Sequence, residues 1–182
     1  MSSIAHKIKV APKVLLGQLR MYRKWLLFKI AKNWVVLNRI SPRLRPWLWK
    51  RTGVQIHGKV CIGYDVYYDV GNASLITLEE GVWVTSQCLL LCHKRILDDY
   101  HVGDDYNKLP YQKLGIVLKK GCCIGMRSIV MPGVTIGEGS IVGVGSLVTK
   151  DIPAWTIAVG SPAKVVKHIT ERESEALRNE VL

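Results

Sequence analysis

The stretch that decides the fold is residues 116–150, which read IVLKKGCCIGMRSIVMPGVTIGEGSIVGVGSLVTK. An aliphatic residue, here termed a repeat leader, recurs at every sixth position, namely Leu118, Ile124, Val130, Ile136, Val142 and Val148. The positions four residues after the leaders are small or aliphatic, namely Cys122, Ser128, Val134, Ser140, Ser146 and Ile152. Because Leu, Ile and Val supply 57 of the 182 residues, six leaders in one phase arise by chance roughly once in a thousand starting points. A period of six matches neither an α-helix nor a simple alternating strand.

The same phase appears earlier in the chain. Its leaders there are Ile56, Ile62, Leu78, Val84 and Leu90, with about four residues inserted between positions 62 and 78. A glycine directly follows several leaders, as in Ile124-Gly125 and Ile136-Gly137, which is expected where a chain turns after a short strand. Since a six-residue unit cannot bury its leader alone, the coils must stack as a parallel β-helix.

These rows, together with residues 134–167, VTIGEGSIVGVGSLVTKDIPAWTIAVGSPAKVVK, resemble the left-handed β-helix acyltransferases. The similarity is to the maltose and galactoside acetyltransferase-like branch and to the sugar O-acetyltransferases of polysaccharide assembly, and it covers about residues 54–169. The left-handed winding is implied by the resemblance alone, because general crossover rules favour the right-handed turn. We therefore expect a mainly β chain, a left-handed parallel β-helix with an extruded loop and an N-terminal basic helical segment.

The length of 182 residues suggests one domain. We predict a basic, Trp-rich helical appendage over 1–52, the β-helix over 53–169 with its extruded loop at 94–113, and a C-terminal helical tail over 170–182. The net charge of +12 belongs to the appendage, because residues 1–52 contain 13 Lys or Arg and no Asp or Glu. The remainder has 13 basic and 14 acidic residues and is nearly neutral.

Within the appendage, apolar residues recur at steps of three and four, which predicts an amphipathic basic helix. They are Leu15, Leu19, Tyr22, Leu26, Ile30, Trp34 and Leu37. Ser41-Pro42 and Arg45-Pro46 are expected to end the helical region. Trp residues beside cations are typical of contact with an anionic membrane surface. Packing against the domain or a neighbouring subunit is the alternative, while nucleic acid is disfavoured because no base-reading motif accompanies the charge.

The five cysteines form no CxxC pair, so we expect reduced thiols in a cytoplasmic protein and neither a disulfide framework nor a metal site. No apolar run approaches a membrane span, and the amino terminus lacks the features of a signal peptide. The expected location is the cytoplasm, with the appendage as a candidate for peripheral contact with the inner face of the membrane. A zinc hydratase of the same shape is disfavoured, because three converging histidines cannot be found.

His93 stands where the six-residue rhythm breaks, at the start of the extruded loop. A histidine suits general-base catalysis at neutral pH, although the residues alone favour a satisfied surface histidine. The resemblance implies that His93 is the catalytic base. It also implies that Asp69 contacts the acceptor. The alternative is that the Asp69 side chain caps its own turn. Asp98 and Asp99 are further candidates for sugar binding, or they simply solvate the loop. Lys94 and Arg95 lie between His93 and these two aspartates, which departs from the short acidic spacing that usually follows the histidine in the family.

By the same resemblance, acetyl-CoA lies along the carboxyl-terminal coils, and cations there would hold its phosphates. The matching positions are Val144, Thr149, Lys150, Lys164 and Lys167. The resemblance implies a homotrimer with sites between subunits, and an acetyl-CoA-dependent O-acetyltransferase that acts on a sugar hydroxyl by direct transfer in polysaccharide or glycan biosynthesis. The alternatives are N-acylation of an amino sugar and a non-catalytic β-helix scaffold or binding protein.

Overall fold

The chain begins with three helices. The structure is a computed structural model that describes residues 2–170, with side chains from residue 14 onward. The helices are α1 (Ser2–Asn33), α2 (Leu37–Ile40) and α3 (Leu44–Thr52). The predicted N-terminal helix is therefore present. No helix in the described part of the chain is long and apolar enough to cross a bilayer.

The prediction that Arg45-Pro46 ends the helical region was wrong, because α3 contains both residues. Pro46 lies in the first turn of this helix, where backbone N–H groups have no intrahelical partner, so that its missing N–H breaks no hydrogen bond. Gly53 ends α3 instead, with a φ of 118° that a glycine adopts readily. The predicted C-terminal tail, 170–182, lies outside the described residues except for Thr170.

Short strands follow the helices, most of them two residues long. In chain order they are β1 (Gln55–Ile56), β2 (Cys61–Ile62), β3 (Tyr67–Tyr68), β4 (Ile76–Leu78), β5 (Trp83–Val84), β6 (Leu89–Leu90), β7 (His93–Arg95), β8 (Tyr111–Lys113), β9 (Ile116–Leu118), β10 (Cys123–Ile124), β11 (Ile129–Val130), β12 (Thr135–Ile136), β13 (Ile141–Val142), β14 (Leu147–Val148), β15 (Thr156–Gly160) and β16 (Ala163–His168). Two 3₁₀ helices cover Val70–Leu75 and Tyr106–Lys108.

Most of these strands form three parallel sheets, each of which receives one strand from every full coil, while β7 and β8 form a separate antiparallel pair. The first sheet has the order β1-β4-β9-β12, the second β2-β5-β10-β13-β15 and the third β3-β6-β11-β14. The antiparallel strand β16 extends the second sheet at its end. Three strands separated by turns thus make one coil of 18 residues, and the mainly β, parallel β-helix predicted from the period of six is confirmed.

The repeat leaders form the core of the β-helix. All six leaders between residues 118 and 148 are fully buried, and the positions four residues later are at most 5% exposed. Tyr68 occupies the inward position of β3 and has no exposed surface. It is a further repeat leader, which the aliphatic pattern did not predict. The extra residues that follow it form the 3₁₀ helix Val70–Leu75.

Glycine is required at corners where two coils approach each other closely. A Cβ atom at Gly125 would lie 2.6 Å from the backbone nitrogen of Val144 in the next coil. Backbone atoms cannot move aside as a flexible side chain can, so any other residue here would push the two coils apart.

The helices close the first coil of the β-helix. Trp49 packs against Tyr68 with ring centroids 4.2 Å apart, and Phe28 meets the same ring edge-on at 5.0 Å. Thr52 hydrogen-bonds the Tyr68 hydroxyl at 2.7 Å. The buried Arg45 donates to the carbonyl oxygens of residues 31, 34 and 62. Helices and β-helix therefore share one core.

Candidate functional site

His93 is the first residue of the extruded hairpin. It follows β6, whose Leu90 is fully buried, and it opens β7, which pairs antiparallel with β8. The rigid coil thus fixes the backbone on one side of His93, and the hairpin fixes it on the other. The side chain retains 42% of its exposure and reaches solvent.

Asp69 lies directly behind the imidazole. Its Oδ2 accepts a hydrogen bond from Nδ1 of His93 and a second from Nδ2 of Asn72, at 2.7 Å. The Asp69 side chain is only 11% exposed. Because a carboxylate only accepts hydrogen bonds, Nδ1 carries the hydrogen and the neutral imidazole keeps a lone pair on Nε2. The arrangement leaves Nε2 able to accept a proton.

Asn72 was not found by sequence reasoning. It lies in the 3₁₀ helix inserted after β3, and its backbone N–H also donates to the Asp69 carbonyl oxygen at 3.0 Å. The only sequence signal was the four-residue interruption of the repeat. An interruption shows where a coil bulges, but it does not show which side chain turns inward.

Aromatic residues hold the base of the hairpin. The ring of Tyr111 meets the His93 ring edge-on at 5.6 Å. Arg95 stacks over Tyr111 at 4.0 Å and over Tyr106 at 5.0 Å, and it donates to the carbonyl oxygens of Asn107 and Leu109. These contacts join the two ends of the extruded loop beside His93.

Of the nine predicted site residues, the structure brings His93 and Asp69 together. Asp98 and Asp99 lie exposed on the extruded loop, and within the described residues neither carboxylate hydrogen-bonds to His93. The five residues predicted to bind the cofactor are all exposed on the late coils: Val144 at the corner after β13, Thr149 and Lys150 after β14, and Lys164 and Lys167 on β16.

Cys92, the cysteine next to His93 in the sequence, is a poor nucleophile. Burial raises the pKa of the Cys92 thiol to about 12, and the neighbouring Asp69 carboxylate adds to the shift. Burial also raises the pKa of Cys122 to about 12. Both groups are protonated thiols at neutral pH, and a protonated thiol is a poor nucleophile. Among the described residues, no group of three or more His, Cys, Asp or Glu side chains could hold a metal ion.

A groove of about 730 Å³ lies between α3 and the first two coils. Its lining includes the rings of Trp47 and Trp83 together with Lys50 and Lys59. Its lining does not include His93. The His93 side chain is partly exposed outside this groove.

The six-residue repeat matches a known protein family. The family described as "Bacterial transferase hexapeptide (six repeats)" matches residues 115–150. A putative acetyltransferase of Staphylococcus aureus is 45% identical over 87 residues, which are 47% of this chain and 42% of that protein. The galactoside O-acetyltransferase of Escherichia coli is 43% identical over 58 residues, or 32% and 29% of the two chains. The chain thus spans less than half the length of these curated relatives.

Solved structures share the fold. A maltose O-acetyltransferase from Clostridium difficile superimposes with a TM-score of 0.64 at 23% identity, over 86% of this chain and 89% of that one. A variant of AntD, an N-acyltransferase from Bacillus cereus solved with dTDP-4-amino-4,6-dideoxyglucose and coenzyme A, gives a TM-score of 0.54 at 25% identity, over 70% and 69%. The chain carries the bacterial transferase hexapeptide repeat, and its resemblance to the hexapeptide-repeat acetyltransferases is confirmed.

Proposed function

We propose that the protein is an acetyl-CoA-dependent O-acetyltransferase that acts on a sugar hydroxyl. The observation that carries this proposal is the pairing of His93 Nδ1 with Asp69 at the break in the repeat, which leaves Nε2 to act as a base on a side chain that reaches solvent. The identity with a galactoside O-acetyltransferase supports a hydroxyl acceptor. Polysaccharide or glycan biosynthesis is the setting we propose, in line with the resemblance of the C-terminal coils.

The reaction needs one base and one transfer. Nε2 of His93 takes the proton of the acceptor hydroxyl while the oxygen attacks the thioester carbonyl carbon. The carbon–sulfur bond then breaks, the acetyl group stays on the sugar oxygen, and the coenzyme A thiolate recovers the proton from the imidazolium. A backbone N–H of the adjoining coil would stabilise the oxyanion. Asp69 stabilises the imidazolium and fixes its orientation.

Transfer is direct in this proposal, without an acetylated enzyme. A covalent route would need a thiolate beside the acceptor, and Cys92 is the nearest thiol in sequence to His93. Its pKa of about 12 leaves almost no thiolate at neutral pH.

We propose that acetyl-CoA binds along the late coils of the β-helix. The three lysines Lys150, Lys164 and Lys167 would pair with the pyrophosphate and ribose phosphate, while Val144 and Thr149 would contact the pantetheine arm. All five side chains are exposed on neighbouring coils. The coenzyme A bound to the similar AntD variant supports this cosubstrate.

We also propose a homotrimer of left-handed β-helices with sites between subunits. The outward residues of the second sheet form one apolar row, namely Cys61, Trp83, Cys123, Ile141 and Ile157. Those of the third sheet are apolar too, whereas Gln55, Thr77 and Thr135 make the first sheet more polar. Apolar rows of this length are suited to a subunit interface.

A second candidate is N-acylation of an amino sugar, because the AntD variant was solved with an amino sugar nucleotide. The same histidine would then accept the proton of an amine. This alternative changes the acceptor and leaves the base in place.

The test is release of free thiol from acetyl-CoA over a panel of simple sugars, amino sugars and glycans, combined with calorimetry of coenzyme A binding. Turnover with hydroxyl acceptors, and a product carrying one more acetyl group on oxygen, is the expected result. Turnover with amino sugars alone would select the second candidate. Absence of both turnover and coenzyme A binding would overturn the enzyme proposal in favour of a scaffold.

A further inference from the structure

One face of α1 points away from the rest of the chain. The side that faces the rest of the chain carries the buried Phe28, whose ring meets Tyr68, and the buried Ala31. At about 100° per residue, four apolar side chains fall within a sector of about 60° on the opposite side of the helix. These residues, here termed the α1 stripe, are Leu15, Leu19, Tyr22 and Leu26, which are 45% to 65% exposed.

Cations border the α1 stripe. Arg23 and Lys29 lie on its two sides by the same helical geometry. The first acidic residue of the sequence is Asp65, which pairs with Lys32. A helix that combines an apolar stripe with cations and lacks acidic residues is complementary to an apolar surface of negative charge.

Exposed tryptophans accompany cations in α1, directly after it and in α3. Trp25, Trp34 and Trp47 are each about half exposed. The ammonium group of Lys29 lies 5.1 Å from the Trp25 ring, and the guanidinium of Arg51 lies 4.9 Å from the Trp47 ring. An indole beside a cation suits the headgroup region, where the ring meets the acyl boundary and the charge meets a lipid phosphate.

We infer that α1 binds an anionic lipid surface, with the α1 stripe inserted at the headgroup boundary and the helix lying parallel to the membrane. The helix is too polar to span the bilayer, which leaves the interfacial position. A protein partner would have to supply an apolar groove rimmed with acidic groups. An anionic leaflet supplies apolar surface and negative charge along the whole length of the helix. The β-helix would thereby be held next to acceptors at the membrane surface.

The test is co-sedimentation of the full chain with vesicles of phosphatidylcholine alone or with roughly one third phosphatidylglycerol. Point variants are preferable to truncation near Thr52, because removal of the helices would uncover Tyr68. Binding should require the anionic lipid and weaken as salt rises to about 0.5 M. Arg23→Gln combined with Lys29→Gln should weaken partitioning by at least about tenfold, and Leu19→Ser combined with Leu26→Ser should abolish it.

Matched controls lie in the β-helix domain. Lys108→Gln with Lys120→Gln removes two exposed charges, and Leu97→Ser with Val102→Ser removes two exposed apolar side chains; both pairs should bind like the wild type. Equal binding by the wild type and the α1 variants, or equal binding to neutral vesicles, would overturn the inference. Dissociation of an oligomer by the Leu19 and Leu26 changes, without any effect on vesicle binding, would assign the α1 stripe to a second copy instead.

Discussion

The carboxylate of Asp69 decides which nitrogen of His93 can act as a base. Its Oδ2 holds the Nδ1 hydrogen, and Asn72 holds the carboxylate. A side chain engaged in this way has less capacity to bind a sugar than the resemblance implies for Asp69. We therefore give Asp69 a positioning role in the proposed reaction, and the acceptor role becomes the competing hypothesis.

The two roles of Asp69 differ in kinetics. Asp69→Asn should lower kcat roughly 10- to 1,000-fold, because an amide can hold the wrong tautomer of the histidine. The KM values for acetyl-CoA and for the acceptor should change little. Glu138→Gln, an exposed carboxylate on another corner, is the control. A large rise in the acceptor KM with unchanged kcat would instead favour sugar binding by Asp69.

A second prediction for individual residues concerns the reactivity of the cysteine thiols. Cys61 is exposed, whereas burial raises the pKa of Cys88, Cys92 and Cys122. Because Cys61 belongs to the row proposed as the subunit interface, a disulfide reagent at neutral pH should modify it fast only in a chain kept monomeric by Trp83→Glu and Ile141→Glu, and Cys61→Ser should remove that fast phase. Fast labelling of Cys92 in the folded protein would contradict the proposed direct transfer.

Each coil of the β-helix depends on its inward aliphatic residues. Leu118→Ala removes a fully buried side chain between two neighbouring coils and should lower the free energy of unfolding by about 2–5 kcal/mol. Leu97→Ala on the extruded loop, where the side chain is 53% exposed, should change it by less than about 0.5 kcal/mol. Urea unfolding followed by circular dichroism measures both. Equal effects of the two changes would contradict the stacking of leaders in one core.

The period of six predicted the elements of the β-helix, because each leader's burial is set by its own position in a coil. It did not predict α3 or the burial of Arg45. That guanidinium is stabilised by carbonyl oxygens from α1, the segment after it and β2, and a local pattern contains no information about such distant partners. For the same reason, the sequence indicated His93 from the break in the repeat, whereas Asn72 required the structure.

At the scale of the whole molecule, charge and apolar surface are separated. The first 52 residues contain 13 of the 26 basic residues and no acidic one. The β-helix is nearly neutral and has apolar rows on two of its three faces. This division suits a catalytic domain that assembles with its own copies, while the helical segment faces a negatively charged surface.

The assembly can be tested through the second sheet. Trp83→Glu combined with Ile141→Glu would bring charges into the proposed interface, and light scattering should then show a mass near the 20.5 kDa of one chain. The wild type should have three times that mass. Gln55→Glu on the first sheet should leave the trimer intact. A wild-type mass of one chain, with full turnover, would contradict sites between subunits.

The most direct test of the central claim is turnover of acetyl-CoA by His93→Ala beside His57→Ala. His57 is an exposed histidine at a corner of the first coil, so its removal should leave turnover near the wild-type rate. Removal of His93 should lower turnover by at least about 100-fold, while coenzyme A binding is retained. Wild-type turnover by the His93→Ala variant would contradict its role as the base of the proposed acetyl transfer.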